Sequence, residues 1–211
     1  MIDQQPASGD IGDMPSPALF TALRQTTDEP LFHHEAKVGL ITHLLATALG
    51  HDNESAAEMA YAATMHDVGR HSMSDETFAK CDPLTDDEIA ELRRHTGYGA
   101  MLLEKAGFDP DGLAVQAALH HHERYDGTGY PTGISGEAIP LVARLVAVAD
   151  VYDALRAARP YKPAFDHAEV CRIILEGDGR CLPGHFDPVV LQAFRDNSDA
   201  IRRLWEPVAE A

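Results

Sequence analysis

The sequence predicts an all-α protein, and three observations carry that. Apolar residues recur at three- and four-residue steps, as Val38, Ile41, Leu45 and Leu49 do, the spacing of one buried helix face. Helix start and stop signals bracket such stretches: Thr85 with Glu88 forms a capping box, Asp166 an N-cap, and Gly50 and Gly107 are stops. No stretch of useful length alternates apolar and polar residues as a half-buried strand does.

In order along the chain, residues 1 to about 15 hold Gly, Pro, Asp and Ser with little periodicity and read as a flexible leader. Ser16-Pro17 opens a short helix to about Gln25, so residues 1–30 are a leader and short helix and 31–205 a single domain. A helix is expected over about 31–49, with His34 four residues before Val38 on the buried face. There a hydrogen-bonded core histidine is a commoner reading than a ligand. A second helix runs from about Asn53, capped by Asp52 or Asn53, to Val68. It ends in His66-Asp67-Val68-Gly69-Arg70. Residues 70–84 are a loop. Beyond the Thr85 box a helix carries Ile89, Leu92 and His95, is interrupted at Gly97 and Gly99, and resumes to Lys105. A helix over 112–123 precedes a glycine-rich loop, 126–136, that no helix accommodates. The most apolar helix covers 141–157 and places Asp150 among Val146, Val148, Ala149 and Val151. Helices at 166–175 and 189–205 complete the chain.

Bulk properties exclude several classes. At 211 residues the chain is long enough for one well-packed domain. Its net charge of −17 argues against a general DNA or anionic-membrane surface. No apolar run approaches a bilayer span, and the polar, acidic start is not a secretory signal. The three cysteines, Cys81, Cys171 and Cys181, form no CxxC and read as reduced cytosolic thiols, which points to a cytoplasmic protein.

Histidine carries the chemistry. Leu119 to Pro131 reads L-H-H-H-E-R-Y-D-G-T-G-Y-P. Alone, its three histidines fit a solvated helix end as well as a metal site, since neutral imidazole is the commonest metal ligand. Asp150 in apolar surroundings costs several kcal/mol unless paired, protonated or metal-bound. Taken together, His34, His66, Asp67, His95, His121, His122 and Asp150 supply five imidazoles and two carboxylates from separate helices. This mixed set suits first-row transition metals rather than Ca or Mg. It exceeds the needs of one ion, and two ions about 3.5–4 Å apart sharing a carboxylate would activate a hydroxide and clamp a phosphoryl displacement.

These residues resemble the HD-GYP domain, a branch of the HD metal-dependent phosphohydrolases. The resemblance rests on His66-Asp67, His95, His121-His122-Glu123, Asp126-Gly127-Thr128-Gly129-Tyr130-Pro131, Ile139-Pro140, Ala149-Asp150-Val151-Tyr152-Asp153-Ala154-Leu155 and Arg159-Pro160-Tyr161-Lys162, and spans roughly residues 31–194. It implies a bundle of about seven to eight helices with a GYP loop. It also implies a phosphodiesterase that hydrolyses cyclic di-GMP to pGpG or GMP through a metal-bridging hydroxide. The seven residues above match the family's metal ligands, with Asp67 bridging two divalent ions, iron foremost and manganese next. Asp67 and Arg70 match catalytic positions. Arg70, Asp153, Arg159 and Lys162 match dinucleotide contacts. Gly129, Tyr130 and Pro131 form the loop associated with partners such as diguanylate cyclase domains.

Two positions depart from the family pattern. Members with a third metal carry a glutamate four residues before the first histidine; Pro30 stands there, so two metals are expected. Arg70 replaces the lysine of H-D-x-G-K. It keeps the charge and can hold phosphate bidentately, but it is a poor proton donor. Two other readings share the site: a receptor or partner-binding module with weak turnover, and a hydrolase of another cyclic dinucleotide or of pGpG. Nothing in the sequence sets the oligomeric state.

Overall fold

A computed structural model describes residues 30–73, 84–158 and 164–205, with side chains from residue 34 through 204. Every regular element among them is helical: α1 (Pro30–Ala48), α2 (Asn53–Ala63), a 3-10 turn (Val68–Ser72), α3 (Asp86–Arg93), α4 (His95–Lys105), α5 (Leu113–His120), α6 (Leu141–Arg156), α7 (His167–Glu176), α8 (Pro188–Asp196) and α9 (Ser198–Trp205), with two further short 3-10 turns. The all-α expectation holds. The expected leader, the short helix at 16–25 and Cys81 lie outside the described residues.

Local signals act where they were read. Asp52 accepts from Ser55 N–H at 2.8 Å, and Thr85 and Glu88 exchange the two bonds of a capping box. Asp166 caps α7 through Glu169 N–H, and Asp187 caps α8 ahead of Pro188. Two expected helices break elsewhere than the sequence suggested. The interruption expected at Gly97 and Gly99 falls instead at Arg94, and His95 starts a new helix that runs unbroken through both glycines to Lys105. The stretch 189–205 breaks at Asn197.

Helix α6 is the centre of the packing. It touches α1, α2, α5, α7 and α8, and ten of its 16 residues are buried, the pattern of a helix enclosed on most sides. Val38, Ile41 and Leu45 of α1, Met59 of α2, Leu145, Val148 and Tyr152 of α6 and Phe194 of α8 form a continuous apolar core. That core fixes α1, α2 and α6 against one another at the end where the histidines converge.

The expected helix over 53–68 stops earlier, at Ala63, and residues 64–67 turn before the 3-10 segment. Packing explains this. Gly69 presses so closely on α4 that a Cβ there would meet the His95 carbonyl oxygen at 1.9 Å and Gly99 N at 2.5 Å. The helix must end for the chain to make this approach, and the turn aims His66 and Asp67 inward. Gly69→Ala is therefore expected to destabilise the metal-free protein by about 2 kcal/mol, lowering Tm by roughly 4–8 °C in thermal unfolding. An unchanged Tm would contradict the close approach.

Candidate metal centre

Five segments deliver the site. His34 comes from α1, His66 and Asp67 from the turn after α2, and His95 is the first residue of α4. His121 is the C-cap of α5, His122 follows it, and Asp150 lies in α6. His120 ends the helix itself, and His121 keeps helical dihedrals with its N–H on Ala117 O. The turn that follows brings the His122 ring beside that of His121, centroids 4.1 Å apart.

The structure brings all seven expected ligands together. His34, His66 and Asp67 each place a ligand atom within 4.8 Å of the others, and His95, His121 and His122 form a second such group. Asp67 joins them. Its Oδ2 lies 3.3 Å from His66 Nε2 and 3.8 Å from His34 Nε2. Its Oδ1 lies 3.4 Å from His95 Nε2 and 3.6 Å from His121 Nε2. One oxygen thus faces each triad. Asp150 Oδ1 is 3.3 Å from His34 Nε2.

The donor set fits metal on three counts. His66 Nε2 and both Asp67 oxygens are fully buried with no hydrogen-bond partner, a costly state for polar atoms that the Arg70 guanidinium relieves only in part, at Asp67 Oδ2. Ring nitrogens facing away from the site are occupied: Nδ1 of His66 donates to Ala63 O at 2.7 Å, of His95 to Leu92 O at 2.7 Å, and of His121 to Ala117 O at 3.0 Å. This fixes the tautomer and turns each Nε2 lone pair inward. His95 and His121 then oppose two lone pairs at 3.2 Å, a repulsion that a cation between them removes. Two donors each about 2.1 Å from one ion sit roughly 3.0–3.4 Å apart, close to these separations.

Charge divides the two triads. Burial lowers His95 to about 4 and holds His122 well below the usual histidine range, so both are neutral at pH 7. His34 behaves oppositely: burial opposes its charge, but hydrogen bonding to Asp150 and Asp153 outweighs this and pushes it up to about 10. Burial would raise Asp67, but His66, His121 and Arg70 around it hold the carboxyl well below the carboxylate range.

Among the other expected site residues, Arg70 lies where it was expected and Asp153 does not. Arg70 Nη2 lies 2.8 Å from Asp67 Oδ2, within the site. Asp153, read as a dinucleotide contact, is buried and accepts from His34 Nδ1 at 2.7 Å, an orienting role toward a ligand. Arg159 and Lys162 lie outside the described residues. In the loop, Tyr130 stacks on His122 with ring centroids 4.8 Å apart, its N–H donates to His122 O, and the Arg93 guanidinium covers its ring at 5.0 Å. Gly129 passes so close to Glu123 and Arg124 that a Cβ would meet Arg124 N at 2.3 Å. Pro131 is exposed.

Sequence reasoning missed two groups. Glu123, quoted only as part of the motif, accepts from Thr132 N–H and Oγ1–H at 2.7 and 2.5 Å and from Gly133 N–H at 3.0 Å, which ties the loop to the ligand pair. A cleft of about 250 Å³ is lined by His121, His122 and Asp150 together with Arg124, Arg180 and His185. The arginine that directly follows the H-H-H-E run was a usable signal; Arg180, from a distant loop, offered none.

An all-helical chain with a buried carboxylate between two histidine-bearing triads defines a candidate divalent-metal domain. A family model described as HD domain matches residues 19–188, and the chain belongs to that family, which implies divalent-metal binding. A cyclic di-GMP phosphodiesterase of Vibrio cholerae is 46% identical over 143 residues, covering 65% of this chain and 28% of the relative. A cyclic di-GMP phosphodiesterase of Pseudomonas aeruginosa is 40% identical over 178 residues, covering 84% of this chain and 42% of the relative. The chain thus spans less than half the length of these curated relatives. Among solved structures, an HDG"Y"P protein from Bdellovibrio bacteriovorus has a TM-score of 0.64 at 23% identity, covering 86% of this chain and 57% of that one, which shows the fold.

Two outcomes follow from this geometry. Asp153→Ala, which frees His34 to rotate, is expected to weaken metal affinity about 10–100-fold, measured by competition with a metallochromic chelator; unchanged affinity would remove the orienting role. Because protonated His34 must lose its proton to bind, metal affinity at its triad is expected to rise with pH from 6 to 9. A pH-independent affinity at both triads would contradict this assignment.

Proposed function

We propose that this domain is a metal-dependent phosphodiesterase that hydrolyses cyclic di-GMP to pGpG or onward to GMP. The observation that carries the reading is Asp67, buried with one oxygen toward each triad. Such a carboxylate serves two ions, and a pair of ions is the usual device for in-line phosphodiester cleavage. His34, His66, Asp67, His95, His121, His122 and Asp150 would hold them, iron foremost and manganese next. When bound, the ions supply charge stabilisation at phosphorus and a nucleophile competent at neutral pH. The relatives named above support the substrate.

The chain's own residues do the rest. Asp67 and Asp150 bring negative charge into a buried site and offset that of the cations. Asp153 and the backbone carbonyls of α2, α3 and α5 hold the imidazoles in one tautomer. Arg70, beside Asp67 and partly exposed, is placed to fork onto a phosphate oxygen as the 3′ oxygen–phosphorus bond breaks. It holds charge without yielding a proton, because a guanidinium is not deprotonated in proteins. The proton for the leaving oxygen therefore comes from solvent. In the same reading the exposed edge of the loop at Pro131 receives partner proteins, diguanylate cyclase domains among them, and the enzyme works in the cytoplasm. Its described cysteines, Cys171 and Cys181, are free thiols.

The test is product formation from cyclic di-GMP by protein reconstituted anaerobically with iron, and separately with manganese, with metal counted on the same sample. Two ions per chain and pGpG or GMP are expected, and Asp67→Ala should lose both metal and turnover. Arg70→Lys, which restores a proton donor, is expected to raise kcat several-fold with KM little changed. Full metal content with bound but intact substrate would replace the enzyme by a receptor.

A further inference from the structure

Beside the expected ligands His121, His122 and Asp150, the cleft is lined by the donor side chains of Arg124, Arg180 and His185, with Glu123 and the Cys181 thiol. Arg124 and Arg180 contribute guanidinium groups, which have no acceptor. His185 accepts from Leu182 N–H through Nδ1 at 3.3 Å, so its proton is on Nε2 and that nitrogen also donates. Ala147, Val151 and Phe186 supply apolar surface between the polar ends. Of the two carboxylates lining the cleft, Asp150 belongs to the metal site, and Glu123 is spent on the Thr132 and Gly133 backbone.

The cleft is also preformed. Asp178 Oδ1 accepts from Arg180 N–H at 2.9 Å and Cys181 N–H at 2.8 Å, which pins the turn that carries Arg180. Tyr125 N–H donates to His185 O at 2.8 Å and ties the two rims together. Arg124 is held more loosely, with Nη1 3.4 Å from Thr128 Oγ1.

Apolar surface beside arginine donors suits a purine whose edge offers acceptors. Guanine presents O6 and N7, both acceptors, and an arginine fork matches them bidentately; adenine replaces one with an N6 donor. We propose that this cleft is a guanine-recognition subsite, in which Arg180 and Arg124, aided by His185, select guanine over adenine in the bound dinucleotide. The proposal rests on the phosphodiesterase reading for its physiological ligand, and the metal centre on its inner wall would take the phosphate.

The test is calorimetric titration of manganese-loaded protein with GMP and, separately, AMP. Wild-type protein is expected to prefer GMP by at least about tenfold, the scale of one bidentate guanine contact. Arg180→Ala should remove most of that preference, Arg180→Lys should restore part of it, and Arg195→Ala, at an exposed position on α8, should leave it intact. Equal binding of GMP and AMP by the wild type overturns the proposal. So does a preference that survives both Arg180→Ala and Arg124→Ala. Equal weakening of both nucleotides in those variants also overturns it, since that is the mark of a phosphate contact. Failure to hydrolyse cyclic di-GMP would strike the phosphodiesterase reading and leave this binding comparison standing.

Discussion

The structure depends on where one carboxylate can be buried. Asp67 is wholly enclosed, and alone it would cost several kcal/mol. Surrounding imidazoles offset that only when protons or metal cations accompany them, because three of those rings spend one ring N–H on backbone carbonyls and, when neutral, face Asp67 with lone pairs. Folding without metal therefore leaves an unfavourable centre, and metal binding becomes part of the domain's stability. The ion pair between Arg70 and Asp67 is a partial substitute.

Second-layer contacts show why the surrounding motifs take the form they do. Gly69 lets the 3-10 turn lie against α4, which places His66 and Asp67 opposite His95. Glu123 anchors the loop, and the anchored loop stacks Tyr130 on His122. The loop that gives the motif its name thus acts on the metal site from behind. A contact with partner proteins and support of a ligand are compatible, because Tyr130 packs inward while Pro131 stays exposed.

Much of this was legible in the sequence. Helix periodicity and capping residues located α1, α5, α6 and α7 to within a few residues, and the starts of α2 and α8. Density of histidine and the lone aspartate in α6 marked residues that converge on one site. What the sequence could not reveal arose from tertiary contact. The early end of α2 follows from a close approach between Gly69 and His95, 26 residues apart. The break at Arg94 follows from the need to aim His95, and periodicity carries no trace of either. His34 taken alone looked like a core histidine because its helical face is apolar, and only the full set of seven and the family resemblance placed it among the expected ligands; Asp153, 119 residues away, turns it to the site. Arg180 reaches the cleft through a loop with no motif. Roles that depend on a single distant neighbour are invisible to spacing arguments.

The central claim is that Asp67 joins two ions. Anomalous diffraction at the iron edge from crystals of the iron-loaded protein tests it most directly. The account predicts two peaks, one on the His34–His66 side of Asp67 and one on the His95–His121–His122 side, about 3.5–4 Å apart. A single peak, or two peaks that do not share Asp67, would contradict it.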